Sequence, residues 1–335
     1  MFQILLLFFV ISFVNAQNTV CFDIEENPYP NNSALSCFSK YVNVLDCFSI
    51  YAESSVQDEK VLHAAAIAAE LLDNDEDGIV DDPAIFQRLQ NQNALMPIFT
   101  SEWSSCLNNF EENYSGNGVS AILFRNEIDP NQPGYWGADA SVEEIIHTIN
   151  HVGHVELYPE IFGIQPNSSA MSDAMDIARG GQFLNVPNQY PESAWYHYDD
   201  WTCDYECMAI EYLYWCIVSY MGILDDVQTC NGIANEWEPC TPELFSQTDI
   251  IMHQIVSNLN NNLPQFAPDG NYCPNNFLGD VNDDGIINIL DVIGAINMIF
   301  DTALVNDSAD INEDGIINVL DIIGIVNIIL GNDLN

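Results

Sequence analysis

A duplication near the C-terminus constrains this chain more than any other feature. "GDVNDDGIINILDVIGAINMIF" from Gly279 and "ADINEDGIINVLDIIGIVNIIL" from Ala309 are offset by 30 residues and identical at 13 of 22 positions. A repeat at fixed offset means that one supersecondary unit is used twice. Each copy puts an oxygen-bearing side chain at loop positions 1, 3, 5, 9 and 12: Asp280, Asn282, Asp284, Asn288 and Asp291, then Asp310, Asn312, Asp314, Asn318 and Asp321. Gly285 and Gly315 stand at position 6, and the carbonyls of Ile286 and Ile316 would serve position 7. Calcium takes six or more oxygens from a flexible loop with a sharp turn, and this alternation supplies them. Apolar residues at helical spacing follow each loop (Leu290, Val292, Ile293, Ile296, Ile299; Leu320, Ile322, Ile323, Val326, Ile329), which predicts two loop-helix units packed together.

The paired DxNxDGxIN-x-x-D loops resemble type I dockerins, modules that dock carbohydrate-active enzymes onto cohesins. The resemblance covers about the last 57 residues and implies a small all-α domain over 279–335, two calcium ions and a cohesin-like partner. The chain departs from the pattern at loop positions 10 and 11, often polar in cellulosomal dockerins. Here they are Ile289-Leu290 and Val319-Leu320.

A third acidic loop lies between two helix-forming stretches near the N-terminus. Asp73, Asp75, Asp77 and Asp81 occupy positions 1, 3, 5 and 9, with Gly78 at position 6 and Ile79 at position 7. Position 12 is Ala84, so the bidentate acid is missing, and Asp82 is the nearest substitute. The loop is a candidate third calcium site.

Fifty acids against five bases give a formal charge of −45. That field repels nucleic acid and anionic lipid and excludes both as partners, while it concentrates cations. Residues 1–16 form an apolar run ending in Val14-Asn15-Ala16, which reads as a cleaved signal peptide, and no later segment looks transmembrane. All ten cysteines follow that site, an even number in a chain expected outside the cell, so disulfides are expected, with Cys207 or Cys216 alternatively buried as small hydrophobes. A large domain over 17–262 reads as mainly α, with few strand-like runs such as "VSAILFR" at 119–125 and α+β as the alternative. Pro, Gly and Asn concentrate over 263–278, the expected linker.

Chemistry in the large domain centres on "EEIIHTINHVGH", Glu143 to His154. At about 100° per residue, Glu144, His147, His151 and His154 fall on one helix face, opposite Ile145, Ile149 and Val152. His147 and His151 have the i, i+4 spacing with which two imidazoles grip one zinc. Gly153 is a candidate helix end. Farther on, "CMAIEYLYWCIVSYMGIL" from Cys207 is apolar almost all round, which marks a buried helix, and its one charge, Glu211, needs a cation.

The histidine pair resembles the zinc helix of zincin metallopeptidases, in which a downstream glutamate completes the ligand set. The resemblance implies zinc held by His147, His151 and Glu211, with His154 a further candidate. Thr148 and Asn150 stand where the family's two motif variants carry the catalytic glutamate, so Glu144 becomes the candidate base. Tyr198 and His197, in the aromatic run "YPESAWYHYDDW", are candidate transition-state donors, although such clusters more often pack cores. Arg179 is a candidate partner of Glu211 or of a substrate carboxylate. The leading functional expectation is a secreted zinc-dependent hydrolase acting on peptides. A non-catalytic adhesion or scaffold protein and a carbohydrate-active enzyme of polysaccharide breakdown are the alternatives.

Overall fold

The computed structural model describes residues 21–274, 279–282, 287–300, 306–312 and 315–330. The expected signal peptide lies outside them, as do Asp284, Ile286 and Asp314 of the calcium loops.

A five-stranded sheet runs in the order β1 (Glu25–Glu26), β2 (Lys40–Val44), β3 (Phe48–Ala52), β4 (Ala94–Phe99), β5 (Leu123–Phe124). The first three strands are antiparallel neighbours, and β4 and β5 join in parallel, so the sheet is mixed. This corrects the mainly α expectation: the chain is α+β. The strands escaped notice for two physical reasons. β4 is buried on both faces and reads as an unbroken apolar run, which has no alternation to betray it. The β2–β3 hairpin turns through Leu45 and Asp46, both left-handed at φ 49° and 54°, without the Asn-Gly signal usual for such a turn.

Period-2 geometry divides β4 between two cores. Ala94, Met96 and Ile98 face the main core, whereas Leu95 and Phe99 face a smaller one built with Phe38, Leu107 and Phe110. On the main face lies α1 (Asp58–Leu72), whose alanines 64–66, 68 and 69 are wholly buried and let the helix approach β2 and β3 closely. α2 (Pro83–Gln92) follows, and α3 (Ser105–Asn113) covers the smaller core. α4 (Ser141–Ile149) packs between α1 and a long later helix, and continues through a π-helical turn, Asn150–His154, into α5 (Val155–Leu157) and α6 (Pro159–Phe162). α7 (Ala170–Ala178) precedes α8 (Tyr205–Met221), which is buried nearly all round, as its composition predicts. α9 (Val227–Ile233), α10 (Pro242–Thr248) and α11 (Ile250–Val256) complete the body.

Four disulfides form: Cys21–Cys273, Cys37–Cys106, Cys203–Cys207 and Cys230–Cys240, while Cys47 and Cys216 are buried thiols. No helix of the described residues is long and apolar enough to cross a membrane. Residues 263–274, read from composition as linker, are built into the body. Gly270 N–H donates to Glu70, Tyr272 is buried against Asp73, and Cys273 closes its disulfide to Cys21.

In the tail, α12 (Ile289–Phe300) and α13 (Val319–Ile329) pack on each other around Val281, Ala295, Ile311 and Ile325. The expected small all-α domain is corrected too. The described residues give this helix pair and parts of its loops, not a complete all-helical module, and the chain as a whole is α+β.

Candidate metal centre

His147 projects from α4 and is buried, with its two ring nitrogens facing two carboxylates. Nε2 lies 3.5 Å from Glu211 Oε2 on α8, and Nδ1 lies 3.7 Å from Glu144 Oε2 one turn back. Nε2 makes no hydrogen bond although it is shut off from solvent. Ligand atoms of Glu143, His147 and Glu211 all fall within 4.8 Å of one another. Tetrahedral zinc with bonds of about 2.0–2.1 Å spaces its ligand atoms about 3.4 Å apart, so the His147–Glu211 gap suits a shared ion better than a direct hydrogen bond.

The electrostatics of the cluster are short of positive charge. Burial by itself would lower the pKa of His147, but Glu211 and Glu144 override it and hold the imidazole well above its usual value. Burial pushes Glu143 up to about 8, with Glu211, Glu144 and Glu236 adding to the rise and His147 opposing it. Glu236 is pushed up to about 7 by burial and then by Glu211 and Asp199. Four carboxylates around one imidazole make an environment that a bound dication would relieve.

A cavity of about 410 Å³ opens beside the cluster, lined by Glu127, Glu144, His147, His151, Glu206 and Glu211 among others. His147, His151 and Glu211 line this one cavity, but the group whose ligand atoms lie within 4.8 Å of one another is Glu143, His147 and Glu211, with Glu143, outside the sequence expectation, in place of His151. The adjacent Glu144 drew attention because it shares the histidine face; Glu143 reaches the cluster only because α8 packs alongside.

The helix does not end at Gly153. It widens into the π turn, and Arg88 Nε donates to the Val152 carbonyl at 3.0 Å. The wider turn breaks the 100° phase, and His154 leaves the ligand face for the core. There its Nε2 lies 3.4 Å from the Asn262 carbonyl oxygen, its ring packs on Phe162 and Tyr158, and burial pushes its pKa down to about 4.

Other expected residues scatter. Tyr198 reaches Glu211, and burial followed by that carboxylate raises its phenol, but neither Tyr198 nor His197 lines the cavity. His197 stands 3.9 Å from Glu238 and packs on Tyr190. Arg179 is wholly buried and bonds to Asp176 at 2.8 Å and to the Phe183 carbonyl at 3.0 Å, with Tyr205 beneath its guanidinium. It pairs with neither Glu211 nor anything in the cavity.

In the loop between α1 and α2, oxygens of Asp73, Asp75 and Asp81 fall within 4.8 Å of one another. Asp73 accepts from the backbone of Asp77 and Gly78 and from Tyr272, while Asp77 turns to the Ile79 N–H. Asp82 is used elsewhere: it caps α2 and accepts from Tyr158 and Asn262. In the tail, Asp291 and Asp321 are wholly buried and accept from the loops' own backbone: Val281, Asn282 and Asn288 in the first, Asn312 and Asn318 in the second. Gly315 donates to Asp310, Asn318 caps α13, and Asp280 is buried. The Ile316 side chain is exposed.

Comparison with known protein families, with characterised proteins and with solved structures finds no match to this chain.

Proposed function

We propose that this protein is an extracellular zinc-dependent hydrolase, with peptides as its leading substrate class and calcium bound in its C-terminal loops. The carrying observation is the buried Nε2 of His147, without a hydrogen bond and 3.5 Å from Glu211, beside a cavity that also contains His151. His147, Glu211 and His151 are the ligands in this reading, and a bound zinc would supply an acidified water and polarise a carbonyl. Glu144 faces Nδ1 of His147, the position of a carboxylate that orients a ligating imidazole. Glu143 joins His147 and Glu211 in the cluster without lining the cavity, so Glu144, which does line it, stays the candidate to accept the proton of a nucleophilic water. The acid-lined cavity favours neutral or cationic substrates over anionic ones.

Four disulfides support the extracellular setting. The paired loops, with Asp291 and Asp321 buried at position 12, support calcium binding, and their resemblance to dockerins supports a docking role for the tail. A purely structural zinc site is the second reading. It is favoured by Thr148, fully buried where a zincin carries its glutamate.

Metal analysis of the purified protein tests the centre. One zinc per chain is expected, lost in His147→Ala and in Glu211→Ala and kept in His154→Ala. Absence of zinc, or zinc retained in both of the first two variants, refutes it. Zinc binding without peptide hydrolysis selects the structural reading.

A further inference from the structure

A second cavity, of about 580 Å³, lies at the hairpin end of the sheet and shares no residue with the first. Its lining runs against the character of the chain. Among fifty acids and five bases, it has one charged residue, Asp46, whose carboxylate already accepts from Asn43 at 2.6 Å. Four tyrosines line it (Tyr29, Tyr41, Tyr51 and Tyr114) together with six carboxamide side chains, all exposed but Gln92, and Gln90 Nε2 donates to the Asp46 carbonyl at 3.0 Å, which orients its amide. Tyr29 is 57% exposed, so that its ring offers an aromatic surface at the cavity.

The walls are fixed in advance. Asn27 Nδ2 bonds to the Leu35 and Phe38 carbonyls and its Oδ1 receives Tyr29 N–H, which sets the Tyr29 loop, and the Cys37–Cys106 disulfide pins that segment to α3. Asp46 in the hairpin turn and Asn93, the left-handed cap of α2, also line the cavity, and the Tyr114 hydroxyl accepts from Gly118 N–H. A preformed wall lowers the ordering cost of binding.

The lining chemistry selects the ligand. Carboxamides donate and accept at once, as sugar hydroxyls do, and tyrosine rings offer apolar faces with a polar tip. The absence of any base leaves nothing to hold an anion. A volume of about 580 Å³ lies within the range of small-ligand sites. We propose that this cleft binds a neutral carbohydrate, a short oligosaccharide with one ring stacked on Tyr29 and its hydroxyls met by Asn43, Gln90 and their neighbouring amides.

Isothermal titration of the full chain with cellotetraose, maltotetraose, mannotetraose and chitotetraose, with tetragalacturonate as the charged control, tests this. At least one neutral saccharide is expected to bind. Tyr29→Ala is expected to weaken binding about tenfold, equivalent to one stacking contact. Tyr29→Phe should keep the affinity, and so should a zinc chelator, which separates this site from the metal centre. Failure of every neutral saccharide at millimolar concentration, equal binding of tetragalacturonate, or indifference to Tyr29→Ala overturns the proposal.

Discussion

Glu70→Gln should stabilise this protein, and only at high pH. The Glu70 carboxyl is 2% exposed near the end of α1; Oε2 accepts from Gly270 N–H at 3.1 Å, and Oε1 has no hydrogen-bond partner. Burial, reinforced by Asp269 and Glu76 and opposed by the Gly270 hydrogen bond, pushes its pKa from 4.5 up to about 7. The folded chain therefore holds this proton more tightly than the unfolded chain. Below pH 4.5 the group is neutral in both states and costs nothing. As pH rises toward 7 the unfolded chain ionises freely while the folded chain resists. At about 1.4 kcal/mol per pH unit, the ionised carboxylate costs the fold up to about 3 kcal/mol above pH 7. Glutamine keeps the acceptor for Gly270 and carries no charge. Urea unfolding at fixed calcium should show equal stabilities for the two proteins at pH 4 and a gain of about 2–3 kcal/mol for the variant at pH 8.5. A variant that is less stable at pH 8.5 would refute the reasoning, because it would mean that the charge is used.

Arg179→Met should cost about 3 kcal/mol in urea unfolding, since it removes the buried cation of Asp176 and leaves that carboxylate only its bonds from Tyr205 and Gln182, yet leave the zinc content unchanged. Loss of zinc without loss of stability would instead return Arg179 to the site. Removing calcium with a chelator should speed amide exchange over 289–300 and 319–329, because Asp291 and Asp321 then bury charge without a cation. Unchanged exchange there would sink the calcium-loop reading.

What the sequence determined is what depends on neighbours a few residues apart. The duplicated loops, the all-round burial of α8 and the need of Glu211 for a counterpart were legible because turn geometry, helical periodicity and the desolvation of a lone charge are local properties. His147 was found on the same ground, and the structure does bring it to 3.5 Å from Glu211 across 64 residues of chain. Tertiary packing decided the rest. β4 shows no alternation because helices and a second core cover both its faces, so its strand nature is visible only from its partners. The π turn rotated His154 into the core, a change of phase that an ideal helical wheel does not contain. Glu143 joined the cluster through the approach of α8, and Arg179 went to Asp176 rather than Glu211. Residue type and spacing name the groups capable of holding a metal, but only the packing of α4 against α8 chooses which of them face one another.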